Sequence, residues 1–369
     1  MNQNKQHTQK PWFRILISLY FGLVGWETTT AQLLPLSELE VGPVCISIDR
    51  APREPDQVKR LKVLKRAYTF PTAVTNLPQL QWLTMNHTLV EQIPDRIAKL
   101  QDLQVFEIKG NKLKALPSAL GELRSLRRLD VSRNFIEQIP DDLFGQMTQL
   151  QRLNLGRNRL PALPSSLWGC RQLEHLIIDQ IKLEILPEKV GQFKNLTHLD
   201  VSRNKLTTIP DAVGQLTQLL ALRIGDNNLK NPASLEAWLY DLTNLRILEL
   251  GAVGLKRLSA KIKQLDQLQQ LLVPLNNFQQ VPDEVWGLTQ LTHLDLGSNQ
   301  IDSIPPTLGQ LQALVYLNLE RNEFTSLPNI WDQFPKLETL RIGVNRLNAL
   351  PEYIGGLQAL RFLECANVD

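Results

Sequence analysis

The sequence predicts an α/β repeat solenoid, a right-handed horseshoe whose short parallel strands form one concave β-sheet. Three observations predict it. One pattern restarts at Val58, Leu80, Leu103, Leu126, Leu150, Leu173, Leu196, Leu219, Leu245, Leu268, Leu291, Leu314, Leu337 and Leu360. Its steps are 22, 23, 23, 24, 23, 23, 23 and 26 residues, then 23 five times. Within each unit apolar and polar residues alternate, and an Asn followed by Leu and Pro closes most units. A fixed period of this length marks stacked supersecondary units. The 369 residues alone would also allow two or three separate domains.

Residues 1–31 read as an export signal outside the fold. Lys5, Lys10 and Arg14 form a basic start, Ile15 to Trp26 an apolar run of twelve, and Thr29 and Ala31 stand at positions −3 and −1 of a cleavage site. Basic, then apolar, then small is the order of a secretory signal. Twelve residues are too few to cross about 30 Å of hydrocarbon, so no stable membrane span is expected after cleavage. Residues 32–57, with the Cys45–Ile48 stretch and the Pro52–Asp56 turn, are the expected N-terminal cap, because a solenoid end exposes core. Residues 58–369 form the solenoid, thirteen units and a terminal strand.

One unit, Leu196–Leu216, carries the chemistry of all. Leu199 and Val201 alternate with His198, Asp200 and Ser202, which is strand periodicity with one buried face. Asn204 follows, and its amide both donates to and accepts from turned backbone. Asn holds this place at 111, 134, 158, 204, 227, 276, 299, 322 and 345, while Thr88, Ile181 and Val253 interrupt it. Leu206 and Ile209 turn inward, and Pro210 fixes φ and ends the extended run. Val213 and Leu216 close the coil through a short helical or 3₁₀ segment.

The pattern L-x-x-L-x-L-x-x-N-x-L-x-x-L-P resembles the leucine-rich repeat family. Within it, the chain looks like the 23-residue variety with a Leu-Pro step, shared by many bacterial proteins and Ras-suppressor-type repeat proteins. The resemblance implies a horseshoe that binds proteins or peptides without catalysis. The paired-cysteine caps of many eukaryotic extracellular members are missing, which favours a bacterial origin. Cys45, Cys170 and Cys365 make no disulfide framework. Cys170 stands where other units have Leu216 or Leu288 and reads as a core hydrophobe, and Cys365 matches inward Leu319 and Ile342.

Composition and motifs exclude several functions. Forty basic against 37 acidic residues give a net charge of +3, without the dense basic surplus of a nucleic-acid binder. No phosphate loop, His-Glu-x-x-His or paired Cys-x-x-Cys occurs, so no cofactor is expected. His198, Asp200 and Ser202 mimic a hydrolytic set, but alternate side chains on one strand stand about 7 Å apart and no nucleophile elbow surrounds Ser202. His175 and His198 lack a third ligand for a metal.

The outward strand positions are the expected binding surface. Arg128, Arg152, His175 and His198 form a basic stripe across neighbouring strands, extended by Arg133, Arg157 and Arg203. Its forked donors suit an acidic peptide or other anion. Trp82, Tyr316 and Phe362 are expected to be exposed aromatics, scattered along the arc. The principal candidate lies where the repeat departs from its pattern, in units 219, 245 and 268. There Ala221, Ile247, Leu272, Pro274 and Leu275 replace polar residues, with Arg223, Arg246 and Glu249 as a polar rim. A contiguous apolar patch with a polar rim is the form of a binding site. The expected function is therefore non-catalytic binding of a protein or peptide by an exported chain, secreted, periplasmic or at the cell surface. The alternatives are an adhesion protein contacting glycan or host matrix and, if the signal is unused, a cytoplasmic scaffold.

Overall fold

The alternation within each unit yields fourteen strands among the described residues, each of three residues and all in one parallel sheet in chain order. They are β1 Arg60–Lys62, β2 Trp82–Thr84, β3 Val105–Glu107, β4 Arg128–Asp130, β5 Arg152–Asn154, β6 His175–Ile177 and β7 His198–Asp200. The second half comprises β8 Ala221–Arg223, β9 Ile247–Glu249, β10 Gln270–Leu272, β11 His293–Asp295, β12 Tyr316–Asn318, β13 Thr339–Arg341 and β14 Phe362–Glu364. The computed structural model describes residues 33–46, 55–64, 66–350 and 352–366. The export signal expected at 1–31 lies outside them, as does most of the Pro52–Asp56 turn.

A three-residue strand makes too few bonds to stand alone, so the inward side chains set the register. Leu199 pairs with Leu176 and Leu222, and Leu248 with Leu222 and Leu271, all at most 1% exposed. Burying each contributes about 1.5–3 kcal/mol. On the opposite side of the coil Pro210 leads into a 3₁₀ turn, Asp211–Gln215, and the Leu216 N–H closes onto the Val213 carbonyl at 3.0 Å. The 26-residue step is absorbed on that side. There the chain forms two 3₁₀ segments, Pro232–Ala237 and Leu239–Asp241, interrupted at Trp238 with φ −141°. Trp238 is buried on the backbone of Gly214, where any Cβ would stand 2.5 Å from the Trp238 Cβ. Ala221 and Ile247 remain in register across the insertion.

The Asn side chains brace successive turns. Asn134 donates to the carbonyls of Ile108 and Val131, and its Oδ1 accepts the Leu113 N–H at 3.1 Å. Where the preceding coil lacks Asn, the next one carries a double load. Asn111 accepts the N–H groups of Thr88 and Val90, Asn204 those of Ile181 and Leu183, and Asn276 those of Val253 and Leu255. Asn345 also accepts two N–H groups, those of Asn322 and Phe324, although its preceding coil has a ladder Asn. The residue before each ladder position takes a positive φ, as at Arg133, Arg157 and Arg203. The three coils without Asn add a second left-handed residue just after that position: Leu89, Lys182 and Gly254.

The N-terminal segment does more than extend the first edge. Cys45 bridges to Leu61 in parallel, which prolongs the sheet. The helix α1, Leu36–Val41, packs Leu39 onto the outward faces of Trp82 and Val105. The Leu34 N–H donates to Gln81 Oε1 at 2.9 Å, and Gln104 Nε2 donates to the Leu34 carbonyl at 2.8 Å.

Candidate functional site

Side chains at the first and third residues of each strand leave the core and line the sheet face. From β4 to β7 the first residues are Arg128, Arg152, His175 and His198, in register as expected. Several of these cations already have partners. Arg128 meets Glu107 at 3.6 Å, Arg157 meets Asp179 at 3.5 Å, and Arg203 meets Asp226 at 3.3 Å. Exposed pairs of this kind each contribute about 0–1 kcal/mol. Arg133 and Arg152 are exposed and form no ion pair among the described residues.

His175 and His198 stack with centroids 4.1 Å apart and planes at 8°. Burial, then His198 and the Arg152 and Arg128 guanidinium groups, push the His175 pKa down to about 4. Burial, then Arg223 and Arg152, lower that of His198. Both rings are therefore neutral at pH 7 and add no positive charge to the stripe. The Thr197 hydroxyl donates to the Glu174 carbonyl, so it accepts from His198 Nδ1 at 2.9 Å, and Nε2 is left as an acceptor. Parallel rings hold their nitrogen lone pairs in separate planes, which do not converge on one ion at about 2.0–2.1 Å. Among the described residues no group of three His, Cys, Asp or Glu is placed to hold a metal. The Ser202 hydroxyl donates to Asp200 Oδ1, away from the imidazole, so the hydrolytic mimic is not assembled. Burial pushes the Cys170 thiol up to about 12, consistent with a core role.

The structure redraws the apolar patch on β8–β10. Ala221 is 1% exposed, because its methyl group lies between the longer side chains of His198 and Ile247, its register partners. It presents no surface, contrary to expectation. Glu249 is likewise no free rim charge. Its carboxylate accepts the N–H groups of Gly225 at 3.1 Å and Gly251 at 3.0 Å, where the lack of a side chain gives it room. Burial raises its pKa, and those two N–H bonds oppose the rise. Ile247, Leu272 and Pro274 are half-buried, while Leu275 is 59% exposed in a left-handed conformation. Ile247 pairs with Gln270 and Leu272 with Glu249, so the apolar residues follow a diagonal rather than a row. Arg246 is exposed beside it and Arg223 half-buried.

Of the scattered aromatics, Phe362 is 50% exposed and Tyr316 half-buried, the latter stacked on His293 at 5.9 Å. Trp82 points outward but is only 7% exposed, beneath Leu39 and with the Arg60 guanidinium 4.5 Å from its ring centre, which corrects the expectation of an exposed aromatic. The docking of α1 was not foreseen. Its signal was the adjacent outward pair Trp82 and Val105, apolar on a face that should be polar. No helix among the described residues is long and apolar enough to cross a membrane.

Comparison with known proteins agrees with this architecture. Profiles described as a leucine-rich repeat region match residues 68–162, and profiles described as leucine rich repeat match 266–324, 289–347 and 195–216. No curated protein matches the sequence significantly. Among solved structures, a leucine-rich repeat protein of Leptospira interrogans is 26% identical, with a TM-score of 0.67, covering 87% of this chain and 95% of its own. An internalin of Listeria monocytogenes is 23% identical, with a TM-score of 0.68 and coverages of 79% and 82%. A plant peptide hormone receptor in complex with RGF2 is 22% identical, with a TM-score of 0.54 and coverages of 88% and 65%.

Proposed function

This chain is a leucine-rich repeat protein, and from that premise we propose that it is a non-catalytic module that binds a protein or peptide on its outward sheet face. The observation that carries the reading is the diagonal of Ile247, Leu272, Pro274 and Leu275, apolar groups left on a face that the core does not need. Apolar surface beside polar groups such as Arg246 is where partners bury area. The plant receptor of like architecture, solved as a complex, supports the same kind of use. The likeness to an internalin and the basic-apolar-small order of residues 1–31 support action outside the cytoplasm. The balanced net charge of +3 argues for a protein partner over nucleic acid. The basic stripe, through Arg133 and Arg152, is available as a flanking contact.

The test compares proteins captured by the wild type with those captured by Ile247→Asp and Leu272→Asp. A partner lost by both variants, with unfolding midpoints unchanged, supports the reading. Capture at wild-type affinity by both folded variants refutes the patch.

A further inference from the structure

The N-terminal segment does not cover the sheet evenly. Where α1 ends its contact with β2 and β3 it leaves a cavity of about 220 Å³ against β4 and β5. One end is apolar, formed by Leu36, Trp82 and Val105. The other end carries Arg128 and Arg152, and a second cavity of about 100 Å³ is lined by the same two residues and continues past Asp130 to His175. Arg152 has no hydrogen-bond or ion-pair partner for its side chain among the described residues, and Arg128 has only Glu107, at 3.6 Å. Ligand pockets usually measure about 300–1,000 Å³, so this cavity suits a group the size of one residue.

We propose that this cavity binds a carboxylate carried beside an apolar side chain, as at the C-terminus of a peptide or in a free amino acid. The carboxylate lies against Arg152 and Arg128, whose forked donors match its two oxygens. The side chain lies against Leu36 and the edge of Trp82 that Leu39 leaves uncovered, with Val105 buried behind them. The segment from Leu34 to Gly42 is thereby one wall of a site. Its position is fixed by Gln81 and Gln104 at Leu34, and by Arg60, which donates to the Leu39 and Glu40 carbonyls at 2.9 and 2.7 Å. Glu40 also lines the cavity and provides a partner for the ammonium group that only a free amino acid carries. The proposal does not depend on the apolar diagonal of β8–β10, and its variants leave that diagonal untouched.

Calorimetric titration of the full chain tests it with three probes: a glycyl-glycyl-leucine tripeptide with a free carboxylate, the same tripeptide amidated, and free leucine. The free-acid tripeptide should bind saturably, and amidation or Arg152→Gln should weaken it about tenfold or more, the weight of a charge-assisted bond. Ser37→Trp, which fills the cavity from its exposed α1 side, should abolish binding without moving the urea midpoint. If free leucine binds at least as tightly as the tripeptide, and Glu40→Gln weakens it alone, the source of the carboxylate is an amino acid. If the tripeptide binds more tightly, the source is a peptide end. No saturable heat with any probe at millimolar concentration overturns the proposal, as does equal affinity of acid and amide or of wild type and Arg152→Gln.

Discussion

Strands β4–β7 and β8–β10 share one scaffold and differ in nearly everything the scaffold does not require. In the first stretch the units step by 23 or 24 residues, and the outward face is Arg, Arg, His, His. In the second a unit grows to 26 residues and the face becomes Ala, Ile, Gln. The inward Leu nevertheless remain in step, because the inserted residues bulge on the far side around Trp238. Register and surface chemistry are therefore separable. The core and the ladder fix the first, and the second is free to vary for recognition.

The sharpest way to break this separation is Trp238→Ala. Emptying that buried site should cost about 3–5 kcal/mol. A urea midpoint no lower than wild type would show that the insertion is not a packed part of the core. Ladder variants come next. Asn204→Ala strands two N–H groups of the Asn-less coil before it, while Asn227→Ala strands one, that of Leu206. The first should cost about 2–3 kcal/mol and the second about 1 kcal/mol less. Equal losses in denaturant titrations would contradict the double load.

Acidification should act on the histidine stretch. The unfolded chain takes up a proton at His175 below about pH 6.5, whereas the folded chain does so only near 4. The stability this residue contributes is present above 6.5 and lost as the pH falls from 6.5 towards 4. The raised carboxylates, Asp179 and Glu249, act in the opposite direction, so the difference between wild type and His175→Gln is the quantity to measure. A pH-independent difference would refute the assignment. The smallest effect belongs to Ser202→Ala, within about 0.5 kcal/mol, because its hydroxyl bonds only to its own strand at Asp200.

The repeat itself was legible because each inward Leu and each ladder Asn answers to a neighbour one period away. The sequence also located the places where the pattern changes. What it concealed were contacts set by relative side-chain length and by distant segments. Ala221 reads as surface until its longer neighbours on both sides are in place. Glu249 reads as a rim charge until Gly225, just after β8 in the preceding coil, is seen to donate to it. Trp82 reads as exposed because nothing local announces that Leu39 will cover it. The second left-handed residue at Leu89 and Lys182 carries no glycine signal, and only Gly254 does.

The ladder bonds also have a direction. Each Asn reaches back to the coil before it and never forward: Asn134 holds the turn of Leu113, Asn227 that of Leu206, Asn299 that of Phe278. A coil is therefore incomplete until its successor arrives. Synthesis from the N-terminus delivers coils in that order, so every newly made coil would act as a pawl that locks the previous one. The growing solenoid would behave as a ratchet, with its youngest coil always the loosest.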